Sequence, residues 1–132
     1  MSPASTVLVV DDDQDIRGLL DLRLRAEGYR TAFAADAIAA VNVARSAAPD
    51  LLLLDLGLPA GDGMLVMRRL KAMPALAHVP VIVITAKDPL LTRDACLAAG
   101  AAAFFTKPFD MPELLATVAA TLDPASALPE AS

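Results

Sequence analysis

Four short segments of this 132-residue chain carry side chains that together could transfer a phosphoryl group. They supply two adjacent carboxylates, one isolated carboxylate, a hydroxyl and an amine, on Asp11, Asp12, Asp55, Thr85 and Lys107. Adjacent carboxylates are ligands that suit Mg²⁺, and Mn²⁺ is an alternative. A carboxylate that stands alone can act as a nucleophile, while a hydroxyl and a lysine can neutralise phosphoryl oxygens. The residue types therefore indicate metal-assisted phosphoryl transfer.

Apolar runs precede each of these segments and predict the strands that would position them. Strands are expected at Thr6–Val10, Arg30–Phe33, Leu51–Leu54, Val81–Ile84 and Ala103–Phe105. Helical patterns lie between them, which is typical of an α/β, doubly wound parallel sheet with five helices on both faces. Because ligands bind outside the carboxyl ends of parallel strands, the chemical groups are expected to meet at one edge of the sheet.

Capping residues mark the predicted helices. We expect helices at about 13–27, ending before Gly28, at about 36–46, from 62, from 88 to before Gly100, and from 110 to about 122. Asp13 is interpreted as the cap of the first helix rather than as a metal ligand. Asp110 and Glu113 are three residues apart and predict a capping box at the start of the fifth helix.

The acidic cluster has a physical requirement. Carboxylates within a few ångströms of one another repel, and a hard cation relieves that charge. Asp55 is the expected nucleophile because it stands alone on a central strand, and the backbone N–H of Ala86 is a further phosphoryl donor. Taken singly, each of these residues is more often structural. Their coincidence at the ends of separate strands favours one functional site.

Composition sets limits on the class of protein. The hydrophobic content of 56% is enough for one domain, predicted over 6–122 with flanks at 1–5 and 123–132. A net charge of −5 argues against direct binding to nucleic acid or to an anionic membrane. No apolar run approaches the ~20 residues of a membrane helix, so a cytoplasmic location is expected. Cys96 is interpreted as a buried structural thiol, and His78 is given no role.

The same residues resemble the receiver domain of bacterial response regulators, in the family of the chemotaxis regulator. The resemblance covers about Thr6 to Leu122. It rests on the segments 7–12, 50–55 with Pro59 and Asp62-Gly63 behind it, 80–86, and Gly100-Ala101 before Phe104, Lys107 and Pro108. It implies a flavodoxin-like sheet with strand order 2-1-3-4-5. It also implies a phosphorylation-dependent switch of a two-component system rather than an enzyme.

By that resemblance, Asp55 accepts a phosphoryl group from a histidine kinase or a histidine phosphotransfer protein. Asp12, Asp55 and the backbone carbonyl of Gly57 would bind Mg²⁺, with Asp11 acting mostly through water. Thr85 and Lys107 would contact the phosphoryl group. Phe104 matches the aromatic residue that turns inward when the threonine moves, which would alter the surface of helix 4, strand 5 and helix 5. That surface would serve a homodimer or an output domain.

Two departures from the family pattern and two rival functions remain. Gly57 replaces a larger residue and Lys87 lies two residues after Thr85, so we expect an altered phosphate lifetime. The fifth helix has Glu113 as its one charged residue from 111 to 122. Two interpretations of this are open: Phe105, Phe109 and Leu122 form an apolar patch for a partner, or the helix is plainly buried. The rivals are an aspartyl phosphotransferase of the haloacid dehalogenase type and a binding module that is no longer phosphorylated.

Overall fold

The computed structural model describes residues 4–59 and 62–123, which form five βα units. The strands are β1 Thr6–Val10, β2 Arg30–Ala34, β3 Leu51–Leu54, β4 Val81–Thr85 and β5 Ala103–Thr106. The helices are α1 Gln14–Ala26, α2 Ala37–Ala47, α3 Gly63–Lys71, α4 Pro89–Ala98 and α5 Met111–Leu122. All strand pairs are parallel, in the order β2-β1-β3-β4-β5. The predicted fold class and strand order are confirmed.

The three central strands are apolar because both of their faces are covered. Every residue of β3 and β4 is buried, as are four of the five residues of β1. Alternate residues face two separate hydrophobic clusters, so Leu52 and Leu54 pack towards α2 and α3 while Leu51 and Leu53 pack towards α1 and α5. This two-sided burial fixes the strands rigidly, and hence the residues at their carboxyl ends.

Side-chain caps begin four of the five helices, and three of these caps, Asp13, Asp62 and Asp88, are predicted from the sequence. The carboxylates of Asp13, Asp36, Asp62 and Asp88 each accept a hydrogen bond from a backbone N–H of the first turn. The predicted capping box of α5 is wrong, because Asp110 makes no side-chain cap there. Pro112 occupies the first turn of α5, so its fixed φ favours the helical start while its missing N–H removes one donor that a cap would satisfy.

Element boundaries differ from the prediction by small amounts. The strands β2, β4 and β5 each extend one residue further, to Ala34, Thr85 and Thr106. Gly28 and Gly100 have φ of 93° and 108°, which confirms them as the residues that end α1 and α4. Most of the predicted flanks, 1–3 and 124–132, lie outside the described residues. Within those that are described, no helix is long and apolar enough to cross a membrane.

Candidate functional site

The acidic residues meet because β1 and β3 are neighbours in register. Val10 pairs with Leu54, so Asp11 and Asp55 follow paired positions, and the Asp55 N–H donates to the Val10 carbonyl at 2.9 Å. Both carboxylates are largely buried, with relative exposures of 3% for Asp11 and 7% for Asp55. The sequence-based prediction that the two strand ends converge is confirmed.

Lys107 reaches this pair from the far side of the sheet. Its Nζ lies 2.7 Å from Asp11 Oδ2 and 3.0 Å from Asp55 Oδ2, so one ammonium is shared by two carboxylates. The peptide bond to Pro108 is cis, and the Lys107 N–H donates to the Thr85 carbonyl at 2.9 Å. The lysine is therefore held by its backbone as well as by its ion pairs.

Burial and the neighbouring charges shift the pKa values of Asp11 and Lys107 in opposite directions. Burial raises the pKa of the Asp11 carboxyl, and hydrogen bonds from Lys107 and the Asp13 N–H offset it only in part. For Lys107, burial favours a lower pKa, but the hydrogen bonds and charges of Asp11 and Asp55 outweigh it and raise the pKa. The ammonium is therefore a permanent cation at neutral pH.

One lysine does not neutralise the whole cluster. Carboxylate oxygens of Asp11, Asp12 and Asp55 all lie within 4.8 Å of one another. At that distance each pair of unit charges repels by about 3–4 kcal/mol for an effective dielectric constant of 20. Three hard oxygen donors with a surplus of negative charge match the ligand preference of Mg²⁺, so the residues present fit a divalent cation.

Thr85 is the last residue of β4, the strand next to β3, and Ala86 follows it. Thr85 is 1% exposed, and its Oγ1 accepts a hydrogen bond of 3.2 Å from the Lys87 N–H. Ala86 is exposed. The threonine oxygen thus accepts a bond from the local turn, and accepting it leaves the hydroxyl hydrogen to be donated to another group.

The loop after Asp55 is open above the carboxylate. Gly57 is exposed, its N–H donates to Asp55 Oδ1 at 3.1 Å, and a Cβ added to it would lie 3.9 Å from that oxygen and 4.0 Å from Lys87 Cε. The side chain of Lys87 therefore lies beside this opening. Gly63 is different, because its added Cβ would lie 2.5 Å from the Asp55 carbonyl oxygen.

Phe104 connects the site strand β5 to the core. It pairs with Val83, is half-buried, and packs against the cluster that contains Cys96. It also lines a surface cleft between α4, β5 and α5, together with Arg93, Phe105 and Glu113. An aromatic side chain that belongs to both a core and an open cleft has room to change rotamer without unfolding the domain.

Cys96 and His78 stay outside the site. Cys96 is fully buried, its Sγ lies 3.7 Å from the Met64 Sδ, and burial raises the pKa of its thiol. His78 is exposed in the segment before β4. The interpretation of Cys96 as a structural thiol is confirmed, because a buried and protonated thiol is a poor nucleophile.

Sequence reasoning missed one residue of the site. The Nη1 of Arg17 donates a hydrogen bond of 2.7 Å to the backbone carbonyl of Asp11. A signal was present in the sequence, because Arg17 follows three aspartates by one helical turn, and the first turn of a helix disfavours a cation.

Comparison with known proteins identifies relatives over most of the chain. The family described as "Response regulator receiver domain" matches residues 7–119. The DNA-binding dual master transcriptional regulator RpaA of Synechocystis sp. is 36% identical over 126 residues, which are 96% of this chain and 52% of that protein. The chain therefore spans about half the length of this relative.

Two solved structures share the fold over nearly their whole length. A response regulator from Chloroflexus aurantiacus matches with a TM-score of 0.85 and 33% identity, covering 90% of this chain and 98% of that one. The receiver domain of the sensor histidine kinase PA1611 from Pseudomonas aeruginosa matches with a TM-score of 0.81 and 32% identity, over 90% and 98%. The PA1611 structure contains a magnesium ion coordinated in its active-site cleft.

Proposed function

The chain belongs to the response regulator receiver domain family, and on that premise we propose that Asp55 is the residue that accepts the phosphoryl group. Receiver domains are signalling switches of two-component systems. The observation that carries the proposal is the environment of Asp55, a buried carboxylate at the end of a central strand that shares one lysine with Asp11. The fixed counter-ion holds the carboxylate of Asp55 in one orientation, and the open loop beside it gives a phosphoryl donor access.

The proposed reaction is a direct displacement. An Asp55 carboxylate oxygen attacks the phosphorus of a phosphohistidine on a histidine kinase or a histidine phosphotransfer protein. The new bond is between oxygen and phosphorus, the nitrogen–phosphorus bond breaks, and the electron pair of that bond stays on the histidine nitrogen. Lys107 would donate to the phosphoryl oxygens, and the 3.0 Å distance from its Nζ to Asp55 Oδ2 supports this role.

The metal assignment is the one that the family resemblance implies, and the donor set supports it. Asp12, Asp55 and the Gly57 carbonyl would hold Mg²⁺ directly, and Asp11 would act mostly through water. Bound there, the cation would neutralise the phosphoryl oxygens and the carboxylates together. The clustering of three carboxylate oxygens within 4.8 Å supports this assignment, as does the magnesium ion in the PA1611 receiver. Mn²⁺ fits the same oxygen donors.

The switch would be carried by Thr85 and Phe104. Phosphorylation adds about −1.5 to −2 charges, which would draw the Thr85 hydroxyl and the Ala86 N–H towards the phosphoryl oxygens. Space vacated by Thr85 would then admit Phe104, which shifts a two-state equilibrium at the α4–β5–α5 surface. That surface would be read by a second copy or an output domain. The domain itself would not contact nucleic acid, because its net charge is −5.

The test is the intact mass of the protein after incubation with Mg²⁺ and acetyl phosphate, for wild type and Asp55→Asn in parallel. We expect one phosphate on the wild type and none on the variant, with acid and base lability typical of an acyl phosphate. Asp21→Asn is a matched control, since Asp21 lies on α1 away from the cluster. Equal labelling of wild type and Asp55→Asn would contradict the assignment of the acceptor.

A second assay separates the switch from the phosphotransferase of the haloacid dehalogenase type. That rival needs an acidic residue two positions after its nucleophile, and Gly57 stands there. With p-nitrophenyl phosphate as substrate, and within a time shorter than the lifetime of phosphorylated Asp55, the switch is expected to release no more than about one equivalent per protein, as a single acyl phosphate per acceptor allows. Release of many equivalents, abolished in Asp55→Asn, would favour the enzyme.

A further inference from the structure

Arg17 has a position that its helix does not favour. It lies one turn into α1, where the partial positive charge of the helix N-terminus repels a cation. Its half-buried side chain turns back to the end of β1, and Nη1 donates a hydrogen bond of 2.7 Å to the Asp11 carbonyl. That bond between a charged donor and a backbone carbonyl compensates for the unfavourable location.

The carboxylate of Asp12 depends on its backbone for its position. The residue is exposed, and within 4–59 and 62–123 no hydrogen bond holds its side chain. Its carboxylate nevertheless lies within 4.8 Å of those of Asp11 and Asp55. An exposed side chain without a partner stays near two like charges only if the chain that carries it is fixed.

The peptide between Asp11 and Asp12 is held from one side by Arg17. Because the peptide group is planar, fixing the Asp11 carbonyl also fixes the direction of the Asp12 N–H and restricts its Cα. The neighbouring groups are bonded elsewhere, with the Asp11 N–H on the Ala34 carbonyl at 3.1 Å and the Asp13 N–H on Asp11 Oδ1 at 2.9 Å. In the part of the chain that the structure describes, Arg17 is the hydrogen-bond donor to this carbonyl.

We propose that Arg17 is a positioning residue for the divalent-cation site, which orients the Asp11–Asp12 peptide so that the Asp12 carboxylate faces the cluster. The inference rests on the proposed function, because it assumes that the cluster binds Mg²⁺. Arg17 itself touches neither the cation nor the phosphoryl group. Its effect is transmitted through one backbone carbonyl.

Two effects of Arg17 on cation binding oppose each other. Its positive charge repels a divalent cation, so charge alone predicts tighter binding when the arginine is removed. Loss of positioning predicts weaker binding, and groups that orient metal ligands typically contribute about 10–100-fold to metal affinity. Salt separates the two effects, because the charge repulsion is screened and the orientation of a peptide is not.

The experiment is calorimetric titration of the full chain with Mg²⁺ at 0.1 M and 0.5 M salt. We compare wild type, Arg17→Met and Arg23→Met, a control that removes the same charge from the last turn of the same helix. Arg17→Met is expected to bind about tenfold more weakly, with a larger deficit at high salt, while Arg23→Met stays within about twofold of wild type. Hydrogen exchange of the Asp13 amide without metal should accelerate in Arg17→Met alone, because release of the Asp11–Asp12 peptide lets the following Asp13 N–H move away from its acceptor, Asp11 Oδ1.

The outcomes are distinct. Equal or tighter Mg²⁺ binding by Arg17→Met at both salt concentrations would overturn the inference, as would unchanged exchange of the Asp13 amide. Circular dichroism shows that each variant is folded under the titration conditions, so that a loss of stability is not counted as a loss of affinity. If the wild type bound no Mg²⁺, the proposed function would fail, and the exchange data would still decide whether Arg17 fixes the loop.

Discussion

Replacing Gly63 by alanine tests how tightly the first turn of α3 is packed beneath Asp55. The added Cβ would lie 2.5 Å from the Asp55 carbonyl oxygen, 2.8 Å from Leu56 Cα and 3.1 Å from Leu56 Cδ2. Non-bonded carbon atoms favour separations of about 3.5–4.0 Å, so backbone must move by roughly 0.5–1 Å. The Gly63 N–H also donates to the Leu56 carbonyl at 2.9 Å, and the same movement would lengthen that bond.

The expected change in the free energy of unfolding is the difference between a cost of overpacking and a gain in helix propensity. Overpacking a buried site costs about 1–3 kcal/mol, and replacing a helical glycine by alanine returns at most about 0.5–1 kcal/mol. We therefore expect Gly63→Ala to lower the free energy of unfolding by about 1–2 kcal/mol. For a domain of this size, that corresponds to a Tm about 3–10 °C lower.

The assay is urea and thermal unfolding followed by circular dichroism, with Gly18→Ala as the control. Gly18 lies inside α1, and nothing is within 4 Å of its added Cβ. Alanine there is expected to raise the free energy of unfolding by about 0.5–1 kcal/mol, so the same chemical change has opposite signs at the two sites. A Gly63→Ala protein as stable as wild type, beside a stabilised Gly18→Ala, would refute the packing argument.

Two further predictions concern the open loop and α1. Gly57→Asn should lengthen the lifetime of phosphorylated Asp55, because its Cβ would lie 3.9 Å from Asp55 Oδ1 and its amide would obstruct water; a hydrolysis time course with equal lifetimes would contradict this. On α1, hydrogen bonds from Thr31 and then Arg25 hold the pKa of Asp21 below its ordinary value. Such a group stabilises the fold above its unfolded pKa of about 3.9, and the contribution is lost as the pH falls through the lower folded value. Thr31→Val should therefore lower the free energy of unfolding by about 0.5–1 kcal/mol at pH 7 and by progressively less below pH ~4. Urea unfolding at pH 7 and below pH ~4 measures this difference. A loss of stability that is independent of pH would show that the effect of Thr31→Val comes from packing.

The centre of the fold was predictable because its three central strands are of one kind. β1, β3 and β4 are continuous apolar runs, and that pattern determines a buried parallel sheet whose carboxyl ends share an edge. Convergence of the acidic residues then followed from topology alone. Thr85 and Thr106 were left out of their strands because a polar residue at the end of an apolar run gives no local signal of pairing.

The contacts of individual side chains were less predictable. The capping box of α5 is absent although Asp110 and Glu113 have its spacing, because spacing alone does not determine the direction of the Asp110 side chain. The sequence predicts that Lys107 pairs with a phosphoryl group. Its ion pair with Asp11 depends on how far the lysine side chain extends across the sheet. The bond from Arg17 to the Asp11 carbonyl is likewise a matter of side-chain direction, which a linear pattern does not encode.

Lys107 also has a mechanical consequence. β5 and β1 are not neighbours, because β4 and β3 lie between them, yet the ammonium of Lys107 links β5 to Asp11 at the end of β1. The ion pair links strand ends that are three strand spacings apart in the five-stranded sheet. An added negative charge on Asp55 would compete for the same ammonium and weaken the ion pair between Lys107 and Asp11. Phosphorylation at the end of β3 would then affect β5, two strands away, and the neighbouring β1, at the start of the loop that leads into α1.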